Sequence, residues 1–206
     1  MNGILILIRH GESLWNARNV WTGLTDIGLS ERGKTEAQET ANRILSYFPT
    51  RAFTSELSRA QQTLTIILET MHRTDIPITK NSALNERDYG AYTGKNKLEV
   101  KSQLGESGYL ALRRGWDVPV PGGESLKQVY SRVVPYYEAN IAPYVKKGET
   151  VLVVAHGNSL RALIKYIEHI ADEDIANVEL KTGEPVMYEI GSSGEVIRPI
   201  TTHDVR

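Results

Sequence analysis

Two runs of consecutive aliphatic residues, at 4–8 and 151–155, dominate the pattern of hydrophobic and polar positions along the chain. Neither run alternates with polar residues, so each predicts a strand buried on both faces, as in the centre of a parallel sheet. Shorter apolar segments predict further strands at 51–54, 76–79, 186–190 and 196–197. The last two are predicted to pair as a hairpin through Gly191 and Gly194.

Apolar residues at helical spacing lie between these strands and predict helices there. The first predicted helix begins after the N-cap Ser30 and ends at Pro49. Its predicted apolar face consists of Ala37, Ala41, Ile44, Leu45 and Phe48. Further helices are predicted at 57–71, more weakly at 97–118, at 124–145 with a kink at Pro135, and from Ser159 onward. Strands alternating with helices indicate a three-layer α/β/α sandwich around a mostly parallel central sheet, built as a single domain of residues 1–206.

The amino-acid composition excludes several classes of binding partner and of chemistry. The 206 residues carry a formal net charge of -1, which provides no overall field for nucleic acid or an anionic membrane. The absence of cysteine excludes disulfides and thiolate chemistry. The first apolar run is too short to span a membrane and lacks the basic leader of a signal peptide. We therefore expect a cytoplasmic protein that binds neither nucleic acid nor a membrane.

A histidine and a glycine directly follow each buried run. Arg9-His10-Gly11 follows the first, and His156-Gly157 follows the second. Ligands of open α/β sheets bind at the carboxyl ends of the strands, so we expect the two imidazoles to meet at one site. Since Gly11 has no side chain, we expect it to let a substrate approach the backbone beside His10.

The remaining candidate residues are mostly cationic. Arg59, Arg113 and Arg114 join Arg9, with Glu86 as a single carboxylate. Clustered guanidinium groups repel a metal ion but bind phosphate through paired hydrogen bonds, so no metal is expected. A neutral imidazole can attack phosphorus and hold the phosphoryl group covalently, while a carboxylate moves a proton on or off an alcohol oxygen. The residues therefore point to phosphoryl transfer.

The sequence around these residues resembles the histidine phosphatase superfamily and, within it, the cofactor-dependent phosphoglycerate mutases. The similar blocks are Arg9-His10-Gly11-Glu12-Ser13, Trp15-Asn16, Trp21-Thr22-Gly23-Leu24-Thr25-Asp26, Leu29-Ser30-Glu31, Thr54-Ser55-Glu56-Leu57-Ser58-Arg59-Ala60, Leu84-Asn85-Glu86-Arg87, Tyr89-Gly90, Gly94-Lys95-Asn96-Lys97, Arg113-Arg114 and Ala155-His156-Gly157-Asn158-Ser159-Leu160-Arg161-Ala162. Together they extend from residue 6 to about residue 190. The resemblance implies the phosphoglycerate mutase fold and 2,3-bisphosphoglycerate as both primer and intermediate, without a metal.

The resemblance also implies a role for each matching residue. His10 carries the phosphoryl group, Glu86 donates and accepts the proton, and His156 steadies the transferring group with Arg9 and Arg59. The implied substrate-binding residues are Arg9, Ser13, Asn16, Thr22, Gly23, Arg59, Glu86, Tyr89, Lys97, Arg113, Arg114, Gly157 and Asn158. The implied reaction interconverts 3-phosphoglycerate and 2-phosphoglycerate in glycolysis and gluconeogenesis. Family members differ in assembly, and we expect a homodimer.

Two other functions compete with the mutase. One is a broad-specificity phosphatase on the same fold, in which water replaces the second alcohol. The other is a catalytically silent anion-binding protein. Lys97 and the pair Arg113-Arg114 favour the mutase, because a bisphosphorylated intermediate needs a second anion subsite. The segment 115–123 is much shorter than in many relatives, and the tail after Pro199 is also short.

Overall fold

The computed structural model describes residues 1–200 and contains one six-stranded sheet. The strands are β1 (Gly3–Arg9), β2 (Arg51–Thr54), β3 (Ile78–Lys80), β4 (Thr150–Ala155), β5 (Val186–Ile190) and β6 (Val196–Ile200). Their order is β3-β2-β4-β1-β5-β6. β4 pairs in parallel with β1 and β2, and β2 with β3, whereas β5 pairs antiparallel with β1 and β6. The prediction of a mostly parallel sheet with β1 and β4 at its centre is confirmed.

The side chains of β1 point alternately into two hydrophobic cores, one on each face of the sheet. Leu5 and Leu7 belong to one core, and Ile6 and Ile8 belong to the other. Helices cover both faces, so the predicted three-layer arrangement is confirmed. They are α1 (Leu14–Ala17), α2 (Glu31–Arg43), α3 (Ser58–Thr70), α4 (Lys97–Arg114), α5 (Leu126–Tyr136), α6 (Ala142–Lys146) and α7 (Gly157–Ile167). α2 and α3 pack on the Ile6 face, and α5 and α7 pack on the Leu5 face.

The first predicted helix is too long. Ser30 caps α2 by accepting a hydrogen bond from the Gly33 N–H, as predicted, but the helix ends at Arg43. Leu45 and Phe48 were predicted on its apolar face and are instead exposed, at 46% and 64%. The spacing of apolar residues does not show where the helix ends, so the prediction continued the helix into the segment that leads to β2.

Smaller differences occur at other boundaries. The third strand is three residues, β3, rather than the predicted 76–79. α7 begins at Gly157, two residues before the predicted start, with His156 as its N-cap. The predicted helix over 124–145 is α5 and α6 joined by one π-helical turn at Tyr137–Ile141, just after Pro135. β5 and β6 form the predicted hairpin, in which the Gly194 N–H donates to the Gly191 carbonyl.

α4 is interrupted in its middle. Gly105 has φ +69°, a left-handed backbone conformation that glycine adopts most readily, so α4 consists of two helical pieces. A third small core packs α4 against the loops around Trp21 and Tyr89, through Trp21, Tyr89 and Leu112 among others. No helix among residues 1–200 is long and apolar enough to cross a membrane.

Candidate active site

A cavity opens at the carboxyl ends of β1 and β4, where the sequence predicted a ligand site. Its lining combines residues from the strand ends, the 16–23 loop, α4 and the 178–180 segment. The lining residues are Arg9, His10, Asn16, Trp21, Thr22, Gly23, Arg59, Glu86, Tyr89, Lys97, Arg113, Arg114, Gly157, Asn158, Arg161, Val178, Glu179 and Leu180. The parallel pairing of β1 with β4 brings the two histidine-glycine pairs together, since Arg9 is in register with Ala155.

His10 is buried and held in one orientation. Its backbone N–H donates to the Ala155 carbonyl, and its ring Nδ1 lies 2.7 Å from the Gly11 carbonyl oxygen. A carbonyl only accepts hydrogen bonds, so Nδ1 must carry the proton. Burial, followed by the charges of Arg59 and Arg9, lowers the pKa of His10 well below its usual value. The neutral ring therefore keeps its free lone pair on Nε2, which is the form a nucleophile needs.

His156 lies fully buried behind His10, with the two ring centroids 4.9 Å apart. Its Nε2 is 2.7 Å from the hydroxyl of Ser55, which fixes the ring plane. Its Nδ1 is buried without a hydrogen-bond partner among the described residues. Burial and then Arg59 lower the pKa of His156 well below normal, so this ring is also neutral.

Arg9 and Arg59 carry positive charge to the inner end of the cavity. Arg59 is only 1% exposed and donates from Nη2 to the Gly23 carbonyl at 2.8 Å and from Nη1 to the Thr25 carbonyl at 2.9 Å. Arg9 donates to the Leu180 carbonyl at 2.8 Å, and its buried Nε lacks a partner in the described part of the chain. These two cations make the inner cavity a site for an anion.

Glu86 is held by the start of α7. Its Oε1 accepts hydrogen bonds from the backbone N–H and the side-chain amide of Asn158, both at 3.1 Å. The same amide donates to the Tyr89 hydroxyl at 2.8 Å. Burial, followed by the charge of Glu86, raises the pKa of Tyr89 to about 12, so Tyr89 stays neutral. Glu86 is thereby fixed beside the two histidines.

His10, Glu86 and His156 each place a potential metal-ligand atom within 4.8 Å of the other two. The surrounding charges argue against that use. Arg59 and Arg9 lower the pKa of both histidines, and the same positive potential that disfavours an imidazolium disfavours a divalent cation. The donor set fits an anion better than a metal.

The outer part of the cavity is a second cationic region, formed by both ends of α4. Burial, and then Arg113 and Arg9, lower the pKa of Lys97 to about 8. Arg114 pairs with the Glu179 carboxylate at 2.7 Å. A ligand with two anionic groups would therefore meet cations at both ends of the cavity.

A family model described as the histidine phosphatase superfamily (branch 1) matches residues 5–201. The chain belongs to the histidine phosphatase superfamily. It is 46% identical over 201 residues to a protein of Parvibaculum lavamentivorans named 2,3-bisphosphoglycerate-dependent phosphoglycerate mutase, covering 96% of this chain and 95% of that protein. A protein of Cytophaga hutchinsonii with the same name is 48% identical over 189 residues, 92% of this chain and 88% of that protein.

Solved structures show the same superfamily fold. Phosphoglycerate mutase from Bacillus anthracis superposes with a TM-score of 0.80 at 18% identity, covering 98% of this chain and 94% of that chain. A mycobacterial glucosyl-3-phosphoglycerate phosphatase superposes with a TM-score of 0.82 at 24% identity, covering 97% and 98%. At such identities the likeness establishes the fold alone.

The histidine phosphatase cavity collects most of the residues that the sequence predicted for it. Ser13 is an exception among the described residues, because it does not reach the cavity wall. It is fully buried and caps α1, where its hydroxyl accepts from the Asn16 N–H. His156 is also absent from that wall, but it contacts His10 from behind.

The interpretation of Gly11 was wrong. A Cβ there would lie 2.3 Å from the Gly33 carbonyl oxygen, and a Cβ on Gly33 would lie 2.1 Å from the Glu12 carbonyl oxygen. The two glycines therefore allow the start of α2 to pack directly against the histidine loop. Of the two glycines that follow the histidines, Gly157 is the one that borders the cavity, since its Cβ position lies 3.7 Å from both Arg9 Nε and Glu86 Oε2.

The sequence reasoning missed Trp21, Arg161 and the 178–180 segment as lining residues of this superfamily site. Arg161 stood within a matching block, four residues after Gly157, and that spacing places both on one face of α7. Its guanidinium binds the Asn158 side-chain oxygen at 3.1 Å and the Arg114 carbonyl at 2.7 Å. The 178–180 segment has no periodic pattern or motif that would have indicated it.

Proposed function

We propose that the chain is a 2,3-bisphosphoglycerate-dependent phosphoglycerate mutase, which interconverts 3-phosphoglycerate and 2-phosphoglycerate through a phosphohistidine at His10. The observation that carries this proposal is the similarity, at 41–48% identity over nearly the whole chain, to relatives with that name. Such an enzyme serves glycolysis and gluconeogenesis, and a cytoplasmic location and a homodimer are part of the proposal.

The unpaired polar atoms of the cavity support a multiply charged anion as ligand. Buried atoms without a hydrogen-bond partner in residues 1–200 include Arg9 Nε, Thr22 Oγ1, Arg161 Nε and, beside His10, His156 Nδ1. Such atoms carry a desolvation cost unless a ligand satisfies them. The oxygens of 2,3-bisphosphoglycerate would supply acceptors at both ends of the cavity, so the residues present fit that primer.

In the proposed mechanism, 2,3-bisphosphoglycerate first primes His10 as a phosphohistidine. The free alcohol oxygen of 3-phosphoglycerate attacks this phosphorus, and the new O–P bond forms as the N–P bond to His10 breaks, while Glu86 takes the alcohol proton. The product of this step is 2,3-bisphosphoglycerate. After this intermediate has turned, His10 Nε2 attacks its other phosphorus, and the P–O bond to the alcohol oxygen breaks as Glu86 returns the proton to that oxygen. The step releases 2-phosphoglycerate and restores the phosphohistidine.

Arg9, Arg59 and His156 would stabilise the transferring group. Its negative charge is spread over three equatorial oxygens, which guanidinium N–H groups match in geometry. The Gly157 N–H at the start of α7 adds the positive end of the helix dipole. None of these groups changes its charge during the reaction, so they act as a preorganised positive surface.

The cations of α4 would hold the anionic groups of the intermediate that are not reacting with His10 while the intermediate reorients. A mutase must keep a bisphosphorylated intermediate until its second phosphate faces His10, whereas a phosphatase has no such need. Lys97, Arg113 and Arg114 supply that retention in the proposal.

Phosphorus NMR on 3-phosphoglycerate, with a trace of 2,3-bisphosphoglycerate and an excess of chelator, tests this function. We expect a growing 2-phosphoglycerate signal with little inorganic phosphate and no loss of rate in chelator. Inorganic phosphate without 2-phosphoglycerate would replace the mutase with the phosphatase. Complete inactivity in chelator, restored by added metal, would contradict the metal-independent mechanism.

A further inference from the structure

Glu124 and Arg132 form an ion pair behind the segment that carries Glu86. Glu124 directly follows the short segment 115–123, and Arg132 is the seventh residue of α5. Arg132 Nε and Nη2 bind the two carboxylate oxygens of Glu124, each at 2.9 Å. Neither residue belongs to the cavity lining, so substrate binding does not explain the pair.

Arg132 uses all five of its N–H donors. Besides the two bonds to Glu124, Nη1 donates to the carbonyls of Ala83 at 2.8 Å and Asn85 at 3.0 Å, and Nη2 donates to the carbonyl of Glu86 at 3.0 Å. A guanidinium has five donors in a fixed plane, so this set is saturated. One side chain thereby fixes three carbonyls within four consecutive residues.

Glu124 continues the same support to the far side of Glu86. Its carboxylate accepts from the Asp88 N–H at 2.9 Å, and its own N–H donates to the Asp88 carbonyl at 2.9 Å. Burial by itself would raise the pKa of Glu124, but the hydrogen bonds from Arg132 and Asp88 hold it below its usual value. Glu124 is therefore ionised at neutral pH and keeps both contacts.

The turn before Glu124 packs on the same segment, backbone against backbone. A Cβ on Gly123 would lie 2.6 Å from the Asp88 carbonyl oxygen, and a Cβ on Gly90 would lie 2.3 Å from the Pro121 carbonyl oxygen. The Ala91 N–H donates to that Pro121 oxygen at 2.9 Å. The short segment 115–123 thus serves as a fixed support beneath residues 88–91.

We infer that Arg132 and Glu124 are positioning residues for the proton-transfer step, holding the backbone of residues 83–88 so that Glu86 meets the departing oxygen. The inference rests on the acid-base role of Glu86 in the proposed function. The Glu86 carboxylate is held from the cavity side by Asn158, and Arg132 holds its backbone from behind. With either anchor removed, the carboxylate can shift by fractions of an ångström relative to the substrate.

The test compares substrates that do and do not need a proton. Turnover of 3-phosphoglycerate includes a step in which an alkoxide leaves the bisphosphorylated intermediate and must be protonated, whereas 4-nitrophenyl phosphate leaves a stabilised nitrophenolate. Arg132→Lys keeps the charge but cannot reproduce the planar five-donor pattern. We expect its kcat on 3-phosphoglycerate to fall by about 100-fold, which is the effect of misplacing a catalytic group by about 1 Å. Its KM should stay within about twofold of the wild-type value. The first-turnover burst of nitrophenolate should change by less than about threefold.

Arg51→Lys is the matched control. Arg51 binds Glu149 at 2.9 Å, and the side chains of that pair are 23% and 26% exposed, against 24% for both Arg132 and Glu124. Arg51 lies at the amino end of β2, whereas the cavity lies at the carboxyl end of the strands. We expect Arg51→Lys to keep wild-type kcat on both substrates, whatever melting temperature it loses.

Glu124→Gln serves as the second variant, because it keeps the shape of the side chain if Arg132→Lys does not fold. It should show the same selective loss on 3-phosphoglycerate, by about 10-fold. Equal losses on both substrates, or no loss relative to Arg51→Lys, would overturn the inference. If the wild type forms no 2-phosphoglycerate, the mutase proposal fails separately. The same comparison is then made on phosphate release from 3-phosphoglycerate, which needs the same proton.

Discussion

Lys97 gives the sharpest prediction of pH dependence. Burial against the Trp21 side of the cavity and repulsion from Arg113 lower the pKa of Lys97 to about 8 in the free protein. By titration, about 90% of molecules carry the charged lysine at pH 7 and about 10% at pH 9. The substrate phosphate is already about 90% dianionic at pH 7 and changes little up to pH 9, because its second pKa is about 6. Since only the charged lysine attracts the anion, apparent KM for 3-phosphoglycerate should rise about ninefold between pH 7 and pH 9.

The assay is KM for 3-phosphoglycerate at half-unit steps from pH 6.5 to 9.5 at constant ionic strength. Lys97→Arg keeps its charge throughout, so its KM should be nearly flat. Lys101→Arg is the control, because Lys101 lies on the same helix and pairs with Glu106 at 2.7 Å. It should reproduce the wild-type slope. A flat wild-type profile, or a Lys97→Arg profile as steep as the wild type, would refute the reasoning.

Three further substitutions test the site. His10→Asn should lower kcat for phosphoryl transfer by at least about a thousandfold while preserving the melting temperature. Substantial turnover by a folded variant would exclude His10 as the nucleophile. Glu86→Gln should lower kcat by about 100- to 10,000-fold, and an effect confined to KM would argue against proton transfer. Glu179→Gln should lower KM for 3-phosphoglycerate by about 1.5- to 5-fold, since it frees Arg114 from a competing carboxylate. A raised KM would mean that Glu179 helps to hold the substrate.

The inner site could be predicted from sequence because its residues follow directly from buried strands. His10 and His156 come at the ends of β1 and β4, and parallel neighbouring strands bring such positions together. The hydrophobic pattern that predicts these two strands therefore also predicts where the two histidines meet.

The positions of residues in irregular segments could not be predicted in this way. Glu86 was predicted as a site residue from its motif, but where it lies, like Leu180, depends on tertiary contacts such as the hydrogen bonds from Arg132 and Arg9. Leu45 and Phe48 show the opposite error, in which helical spacing continues past the end of α2 although both side chains are exposed. The spacing of apolar residues along the chain predicts helices and strands. It does not predict where an irregular segment lies or where a helix ends, because tertiary contacts decide both.

The break in α4 affects the spacing of the cations in the cavity, and with it the length of the anionic ligand that they can hold. Lys97 stands on the piece before Gly105, and Arg113 and Arg114 stand on the piece after it. The Cβ position of Gly105 has no neighbour within 4 Å among the described residues, so a larger residue there would meet backbone strain but no steric obstacle. The distance between Lys97 and the pair Arg113-Arg114 thus depends on the backbone conformation of one exposed glycine, which is not part of the cavity lining. A substitution there would change the spacing of these cations without replacing any residue that lines the cavity.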